Sequence, residues 1–104
     1  MFTTKDAEYI LKGLRKRKLN AFLIGSIAIQ GRGNDIDIIL IDVPENWKDL
    51  VADSLPVLHT FTPNDWDGGL FVAGDYKVDI FIKNAKEEGL PPTDESVGIR
   101  PTIL

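Results

Sequence analysis

The sequence predicts an α+β fold, in which helices cover one face of a mixed or antiparallel sheet. Apolar residues recur at helical spacing near the start of the chain, whereas later apolar runs are short and bounded by glycine, proline and aspartate. Only ten residues, 25–34, separate the first two predicted strands. Because a parallel crossover needs about a dozen residues or more, these strands are expected to be antiparallel neighbours.

The chain begins with a predicted amphipathic helix. Its apolar stripe is formed by four residues at helical spacing, Ala7, Ile10, Leu11 and Leu14. They predict a helix over about residues 4–18, with Thr3 or Thr4 as its N-cap. Five cations then follow one another closely: Lys12, Arg15, Lys16, Arg17 and Lys18. They complement the negative end of the helix dipole, and the alternative interpretation is a docking patch for a polyanion.

Two strands and a second long helix are predicted next. A buried strand over 21–24 ends at Gly25 and Ser26, at most one helical turn fits at 26–30, and another strand covers 35–42. Asp42 and Pro44 then open a helix that closes near Leu55.

The remaining elements are predicted strands. They cover residues 57–61, 70–73 and 76–82, and Gly74–Asp75 is a two-residue hairpin signal between the last two. After Lys83 the composition shifts to polar residues, glycine and proline. We therefore expect one domain over 1–83 and an irregular C-terminal tail over 84–104.

Composition excludes several classes of protein. The 104-residue chain has no cysteine, so it contains neither a disulfide framework nor a thiolate metal site. The net charge of −4 argues against a stand-alone nucleic-acid binder of high affinity. Its apolar runs are too short to cross a bilayer, and the first ten residues lack a secretion signal. The prediction is a cytoplasmic protein without a membrane partner.

Carboxylates interrupt two strands that are otherwise apolar. Asp35 and Asp37 fall two residues apart in NDIDIIL, and Asp79 lies within YKVDIFIK. Alternate residues of a strand share a face, so Asp35 and Asp37 are expected side by side, about 7 Å apart at their Cα atoms. Burying such charges without a partner costs on the order of several kcal/mol for each ion. Three carboxylates on one face would form a cage for two Mg²⁺ or Mn²⁺ ions about 4 Å apart.

A bland alternative exists for each of these residues. An isolated D-x-D most often faces water on a half-exposed sheet, but here the Gly-Ser turn and the third aspartate favour a functional site. Gly25 permits close approach of a phosphate, Ser26 adds a hydroxyl donor, and Arg32 can reach a triphosphate or remain a solvent-facing arginine.

Other polar and aromatic candidates are weaker. His59, the single histidine, is expected to be packed or exposed at an edge. Asp65 and Asp67 lack the ligand spacing of a known calcium loop. Trp66 is either a base-stacking platform or, in the favoured interpretation, a lid on the edge of the core. Ser26 has no evident base beside it and is not predicted to be a nucleophile.

Three stretches together resemble the DNA polymerase beta nucleotidyltransferase superfamily. They are FLIGS, NDIDIIL and YKVDIFI, and the resemblance covers roughly residues 19–83. The chain is similar above all to the minimal nucleotidyltransferases and the abortive-infection type toxins. The resemblance implies a nucleotidyltransferase palm-like core.

The resemblance also implies roles for individual residues. Asp35 and Asp37 would bind both metal ions, Asp79 would complete the second metal site and help deprotonate the attacking hydroxyl, and Gly25 and Ser26 would hold the β- and γ-phosphates. Mg²⁺ or Mn²⁺ would be the cofactor, and a nucleoside triphosphate the substrate. An acceptor hydroxyl would attack the α-phosphate and release pyrophosphate.

Two functions fit these features. The first is a minimal two-metal nucleotidyltransferase whose acceptor is a protein hydroxyl, an RNA 3′ end or a small molecule. The alternative is a catalytically inactive binding module, such as one half of a toxin–antitoxin pair whose partner is a helical protein. The small size of the chain, without a separate acceptor domain, motivates the alternative.

Overall fold

A computed structural model describes residues 1–55 and 59–84. Within these residues the chain forms seven strands and three helices. In chain order they are β1 (Phe2–Thr3), α1 (Thr4–Lys16), β2 (Ala21–Ile24), α2 (Ser26–Gln30), β3 (Arg32–Gly33), β4 (Ile36–Ile41), α3 (Trp47–Ser54), β5 (His59–Pro63), β6 (Gly69–Ala73) and β7 (Tyr76–Lys83).

The main sheet has five strands in the order β2-β4-β7-β6-β5. Strands β2 and β4 pair antiparallel, as their short connection predicts. β4 and β7 pair parallel, whereas β7, β6 and β5 form an antiparallel meander. The mixed α+β sheet expected from the sequence is therefore confirmed, and the parallel β4-β7 pair joins β2 and β4 to the meander of β7, β6 and β5.

All three helices pack on one face of this sheet. The main core joins the apolar stripe of α1, Ile27 of α2, and Trp47 and Val51 of α3 to alternate residues of the strands. Ile36, Ile38 and Leu40 of β4 belong to that core and are fully buried. We call the opposite side of the sheet the carboxylate face, because Asp37 and Asp79 alternate with these core residues.

Helix α1 begins and ends as its sequence predicts, within two residues. Thr3 is its N-cap, and Oδ2 of Asp6 accepts hydrogen bonds from the Thr3 backbone N–H at 2.8 Å and from its hydroxyl at 3.2 Å. At the other end, the Arg17 guanidinium donates to the Gly13 carbonyl at 2.9 Å and to the Asp53 carbonyl at 2.8 Å. One cation of the basic cluster thus caps α1 and ties it to α3.

A few details differ from the sequence-based expectations. The strand predicted over 35–42 is shorter in the structure. There it is β4, and Asp35 and Asp42 lie just outside it. The two-residue strands β1 and β3, which pair antiparallel, were not predicted, since elements this short leave no periodicity to detect. The predicted strand start at 57 and the tail over 85–104 fall outside the described residues. No helix in the described part of the chain is long and apolar enough to span a membrane.

Candidate active site

Asp37 and Asp79 lie at the centre of the carboxylate face. They are direct partners in the parallel pairing of β4 with β7. Neighbouring strands are about 4.8 Å apart, and parallel partners project from the same face. The register therefore places these two residues side by side on one face of the sheet.

The environment of Asp37 opposes its ionisation. Burial, followed by the nearby charges of Asp79 and Asp35, raises the pKa of this carboxyl to about 7. All three causes act in the same direction, and none of them is a cation. At neutral pH Asp37 is thus poised between its two protonation states, and any positive charge brought beside it would favour the ionised form.

Asp79 feels both burial and a hydrogen-bond donor. Burial raises its pKa, the hydrogen bond from Asn64 lowers it, and the charge of Asp35 raises it. The Asn64 amide donates from Nδ2 to Oδ1 of Asp79 at 3.1 Å and to the Ile80 carbonyl at 2.9 Å. Asn64 therefore fixes one carboxylate oxygen of Asp79.

Asp35 is the third predicted carboxylate, and it immediately precedes β4. Its side chain is half-buried, and its charge influences the pKa of both Asp37 and Asp79. It therefore belongs to the same electrostatic cluster, although it is not a member of the paired strands.

Gly25 packs directly against the Asp37 carboxylate. Its φ of +81° and ψ of −162° fall in a region that only glycine occupies without strain. A Cβ atom at this position would overlap the Asp37 carboxyl group. Backbone conformation and space therefore both require glycine here.

Ser26 and Arg32 lie near this turn with exposed side chains. Ser26 begins the five-residue helix α2 directly after Gly25. Arg32 is in β3, where it pairs with Thr3 of β1 in the small two-stranded ribbon. The contacts with a nucleotide that the sequence predicts for Ser26 and Arg32 remain predictions.

The donor chemistry of the cluster suits a divalent cation, because carboxylate oxygens are the ligands that Mg²⁺ and Mn²⁺ prefer. Burial and the charges of Asp79 and Asp35 raise the pKa of Asp37, and no cationic side chain is among the causes. Within residues 1–55 and 59–84, however, no three His, Cys, Asp or Glu side chains are grouped closely enough to form a ready metal cage. Metal binding by Asp35, Asp37 and Asp79 therefore stays a prediction.

Sequence reasoning missed Asn64. It lies in the loop between β5 and β6, where its turn-forming character is the only visible signal. Its Oδ1 accepts from the backbone N–H of Trp66 at 2.8 Å and of Gly68 at 3.2 Å. Oδ1 of Asn64 thus accepts hydrogen bonds from the loop backbone, while Nδ2 donates to Asp79.

Two aromatic candidates occupy different positions. His59 is exposed on the edge strand β5, and its ring lies 5.4 Å from that of Phe71. Trp66 is 46% exposed and contacts Phe81, a residue of the carboxylate face. His59 takes the second of the two positions predicted for it, packed or exposed at an edge, whereas Trp66 is neither buried nor part of the main core.

One solved structure is similar in fold to this chain. It is the crystal structure of ANT(2")-Ia, an aminoglycoside nucleotidyltransferase, in complex with adenylyl-2"-tobramycin. The match has a TM-score of 0.58 at 20% sequence identity. The fold is that of a nucleotidyltransferase.

The extent of this similarity is uneven. The match covers 78% of this chain and 49% of that one, so the chain spans about half the length of ANT(2")-Ia. A scan of protein-family models found no match, and a search of curated proteins also found none. The comparison therefore establishes the fold, and the activity has to be argued from the site.

Proposed function

We propose that this protein transfers a nucleoside monophosphate from a nucleoside triphosphate to an acceptor hydroxyl. The observation that carries the proposal is the register of Asp37 and Asp79 on adjacent strands. Two half-buried carboxylates held side by side are costly unless a cation accompanies them. The likeness of the fold to that of a nucleotidyltransferase supports the same conclusion.

Asp35, Asp37 and Asp79 would hold Mg²⁺ or Mn²⁺. When bound, such ions supply the positive charge that neutralises the phosphates and stabilises charge on the reacting oxygens. Asn64 holds Oδ1 of Asp79 in place, so this carboxylate would need less reorganisation when substrate binds.

The reaction is a phosphoryl transfer in which bonds and protons balance. The acceptor oxygen forms a bond to the α-phosphorus, the bond from that phosphorus to the bridging oxygen of the β-phosphate breaks, and pyrophosphate leaves. The proton of the acceptor hydroxyl passes to Asp79 and from there to solvent. The chain's contribution is positioning and electrostatic stabilisation, as in other phosphoryl transfers.

The phosphates that leave would lie beside Gly25. No side chain at this position separates the backbone from Asp37, so a phosphate can approach both. The exposed hydroxyl of Ser26 is available as a further donor. Arg32, in the β1-β3 ribbon, would bind the triphosphate as a further cation.

The acceptor of the proposed transfer is a hydroxyl-bearing molecule. The ANT(2")-Ia structure contains tobramycin carrying an adenylyl group, which is a nucleotide attached to a small sugar-containing molecule. Tobramycin is therefore one sensible probe. Adenosine, which presents the ribose hydroxyls of an RNA 3′ end without its phosphates, is the other.

A transfer assay tests this function directly. Each of the four nucleoside triphosphates, labelled at the α-phosphate, is incubated with the protein, Mg²⁺ and either tobramycin, adenosine or a cell extract. We expect a labelled acceptor together with pyrophosphate, and a loss of at least about a hundredfold in Asp37→Asn. Asp53→Asn, a change on the helical side of the sheet, is the matched control and should retain activity. Absence of labelled product in every arm would refute the proposal.

The inactive binding module remains the second candidate, because the described residues do not group three metal ligands. It predicts that a co-purified helical protein forms a stable complex and carries no nucleotide. Intact-mass measurement of that partner after co-expression separates the two functions. A mass increase equal to one nucleotide excludes the inactive module.

A further inference from the structure

The loop between β5 and β6 continues alongside β7, next to the carboxylate face. β6 begins where Gly69 pairs with Ile80. Beyond that point the loop takes over the pairing, since the Ile82 N–H donates to the Trp66 carbonyl at 3.1 Å. Trp66 therefore lies next to the C-terminal half of β7, on the same side of β7 as β6.

Trp66 is held at this position by its backbone. Its N–H donates to Oδ1 of Asn64, the same residue whose Nδ2 donates to Asp79. Two hydrogen bonds through one side chain thus link the backbone of Trp66 to the carboxylate of Asp79. Such a link fixes the loop relative to the candidate active site without burying the indole.

The indole of Trp66 is braced but largely exposed. Its ring centroid lies 6.4 Å from that of Phe81 in an edge-to-face arrangement, and Nζ of Lys83 lies 5.7 Å from the ring. Nearly half of its surface nevertheless remains accessible, at 46%, whereas Trp47 in the main core is only 9% exposed. A fixed, exposed indole presents a flat surface on which a ring can stack.

The order of the strands places Trp66 and Gly25 on opposite sides of the carboxylate pair. Gly25 follows β2, Asp37 and Asp79 lie on the next two strands, β4 and β7, and Trp66 lies beyond β7, on the side of β6. An in-line displacement places the attacking and leaving oxygens on opposite sides of the phosphorus. If pyrophosphate leaves beside Gly25, the acceptor has to enter from the side of Asp79 and Trp66.

We propose that Trp66 forms the acceptor subsite and stacks against the ring of a hydroxyl-bearing sugar or nucleoside. This inference rests on the proposed function, because it uses the direction of transfer. The chemistry shared by the acceptors is a ring, saturated or aromatic, with one face that can lie against an indole and a hydroxyl group close to it. A polynucleotide acceptor is disfavoured by the net charge of −4.

Fluorescence tests the subsite without requiring turnover. The chain has two tryptophans, so the signal of Trp66 is obtained by comparing the wild-type protein with Trp66→Phe. We expect tobramycin or adenosine to change the wild-type emission saturably, in the presence of Mg²⁺ and ATP, and to leave Trp66→Phe unchanged. The probe that does so identifies the source of the ring, an amino sugar or a nucleoside.

Kinetics separate the acceptor side from the nucleotide side. Trp66→Ala should raise KM for the responding probe by about tenfold or more, as expected for the loss of a stacked ring, and leave KM for ATP unchanged. Tyr9→Ala, which removes an exposed aromatic ring from α1 on the helical side, should change neither value. Conservative Trp66→Phe should restore most of the acceptor affinity.

The outcomes distinguish this inference from the proposed function. If ATP binds with Mg²⁺ but neither probe alters Trp66 emission, the acceptor subsite is wrong and the transferase can stand. A rise in KM for ATP in Trp66→Ala also overturns the acceptor subsite, because Trp66 would then contact the nucleotide. If ATP does not bind at all, the proposed function fails, and titration with the two probes alone still decides whether Trp66 stacks against a ring.

Discussion

Asp37 and Asp79 are direct partners on two parallel strands, β4 and β7. The parallel pair is the one place in the described sheet where strands from the two halves of the chain meet. A carboxylate on each strand at the same register level places two like charges side by side at that junction. Because neither residue is needed for the apolar core on the opposite face, packing gives no reason for both to be acidic.

The first prediction concerns pH and the metal-free protein. The pKa of Asp37 is raised to about 7 in the folded chain, whereas an unfolded aspartate titrates near ~3.9. The folded state therefore binds the proton more tightly, so the stability contributed by protonated Asp37 is complete below about pH 4 and is lost as the pH rises to about 7. We expect the free energy of unfolding in urea with EDTA to fall from pH 5 to pH 8.

The control for this pH dependence is Asp37→Asn. An amide cannot ionise, so the variant should show a flatter profile and be the more stable protein at pH 8. An identical slope in the variant and the wild type would show that other groups cause the dependence. A wild-type stability that rises over the same interval would contradict the raised pKa of Asp37.

The second prediction concerns the close contact of Gly25 with Asp37. Gly25→Ala combines an unfavourable backbone conformation with overlap of the new Cβ and the carboxylate, and should cost about 3 kcal/mol or more of unfolding free energy. Gly31→Ala is the matched control. Its φ of +80° is similar, but the nearest atom to a Cβ there is 3.9 Å away, so about 1 kcal/mol is expected.

A double variant identifies the cause of the Gly25 effect. Asp37→Ala removes the atoms that the new Cβ meets, apart from its own Cβ, so part of the Gly25→Ala cost should disappear in that background. Strict additivity of the two substitutions, measured by chemical unfolding, would mean that backbone strain alone accounts for the requirement for glycine.

The third prediction concerns Asn64. Asn64→Ala removes four hydrogen bonds, two that hold the loop and two that reach β7, and should lower the unfolding free energy by about 1–3 kcal/mol. Asn46→Ala, at an N-cap without a side-chain hydrogen bond, should change it by less than about 0.5 kcal/mol. Because the Asn64 donor lowers the pKa of Asp79, that pKa should rise in Asn64→Ala, as measured by NMR titration of the carboxyl group. An unchanged pKa would mean that this hydrogen bond does not form in solution.

Much of the fold follows from local sequence signals. Helical spacing identified α1, the Gly74–Asp75 turn identified the β6-β7 hairpin, and the short connection after Gly25 required β2 and β4 to be antiparallel. These features depend on neighbours within the chain, which is why the sequence alone predicts them. The shared face of Asp35 and Asp37, which was inferred from strand periodicity, stays a prediction because Asp35 lies outside β4.

Features that depend on long-range register could not be predicted in the same way. Asp37 and Asp79 are 42 positions apart in number, and no sequence pattern specifies that β7 pairs with β4 at this level. Asn64 was missed for the same reason, because its contact with Asp79 arises only after the β5-β6 loop folds alongside β7. The metal cage is a third case, since three carboxylates in or beside the right strands do not by themselves converge within the described residues.

Calorimetric titration of the protein with Mn²⁺ and ATP tests the central claim most directly. The wild-type chain and the control Asp53→Asn should bind ATP in a Mn²⁺-dependent manner, whereas Asp37→Asn should lose at least about tenfold in affinity. Urea unfolding of each variant at pH 5 confirms that the proteins compared are folded. Equal Mn²⁺-dependent affinity for ATP in Asp37→Asn and the wild type would contradict the assignment of this carboxylate to the site.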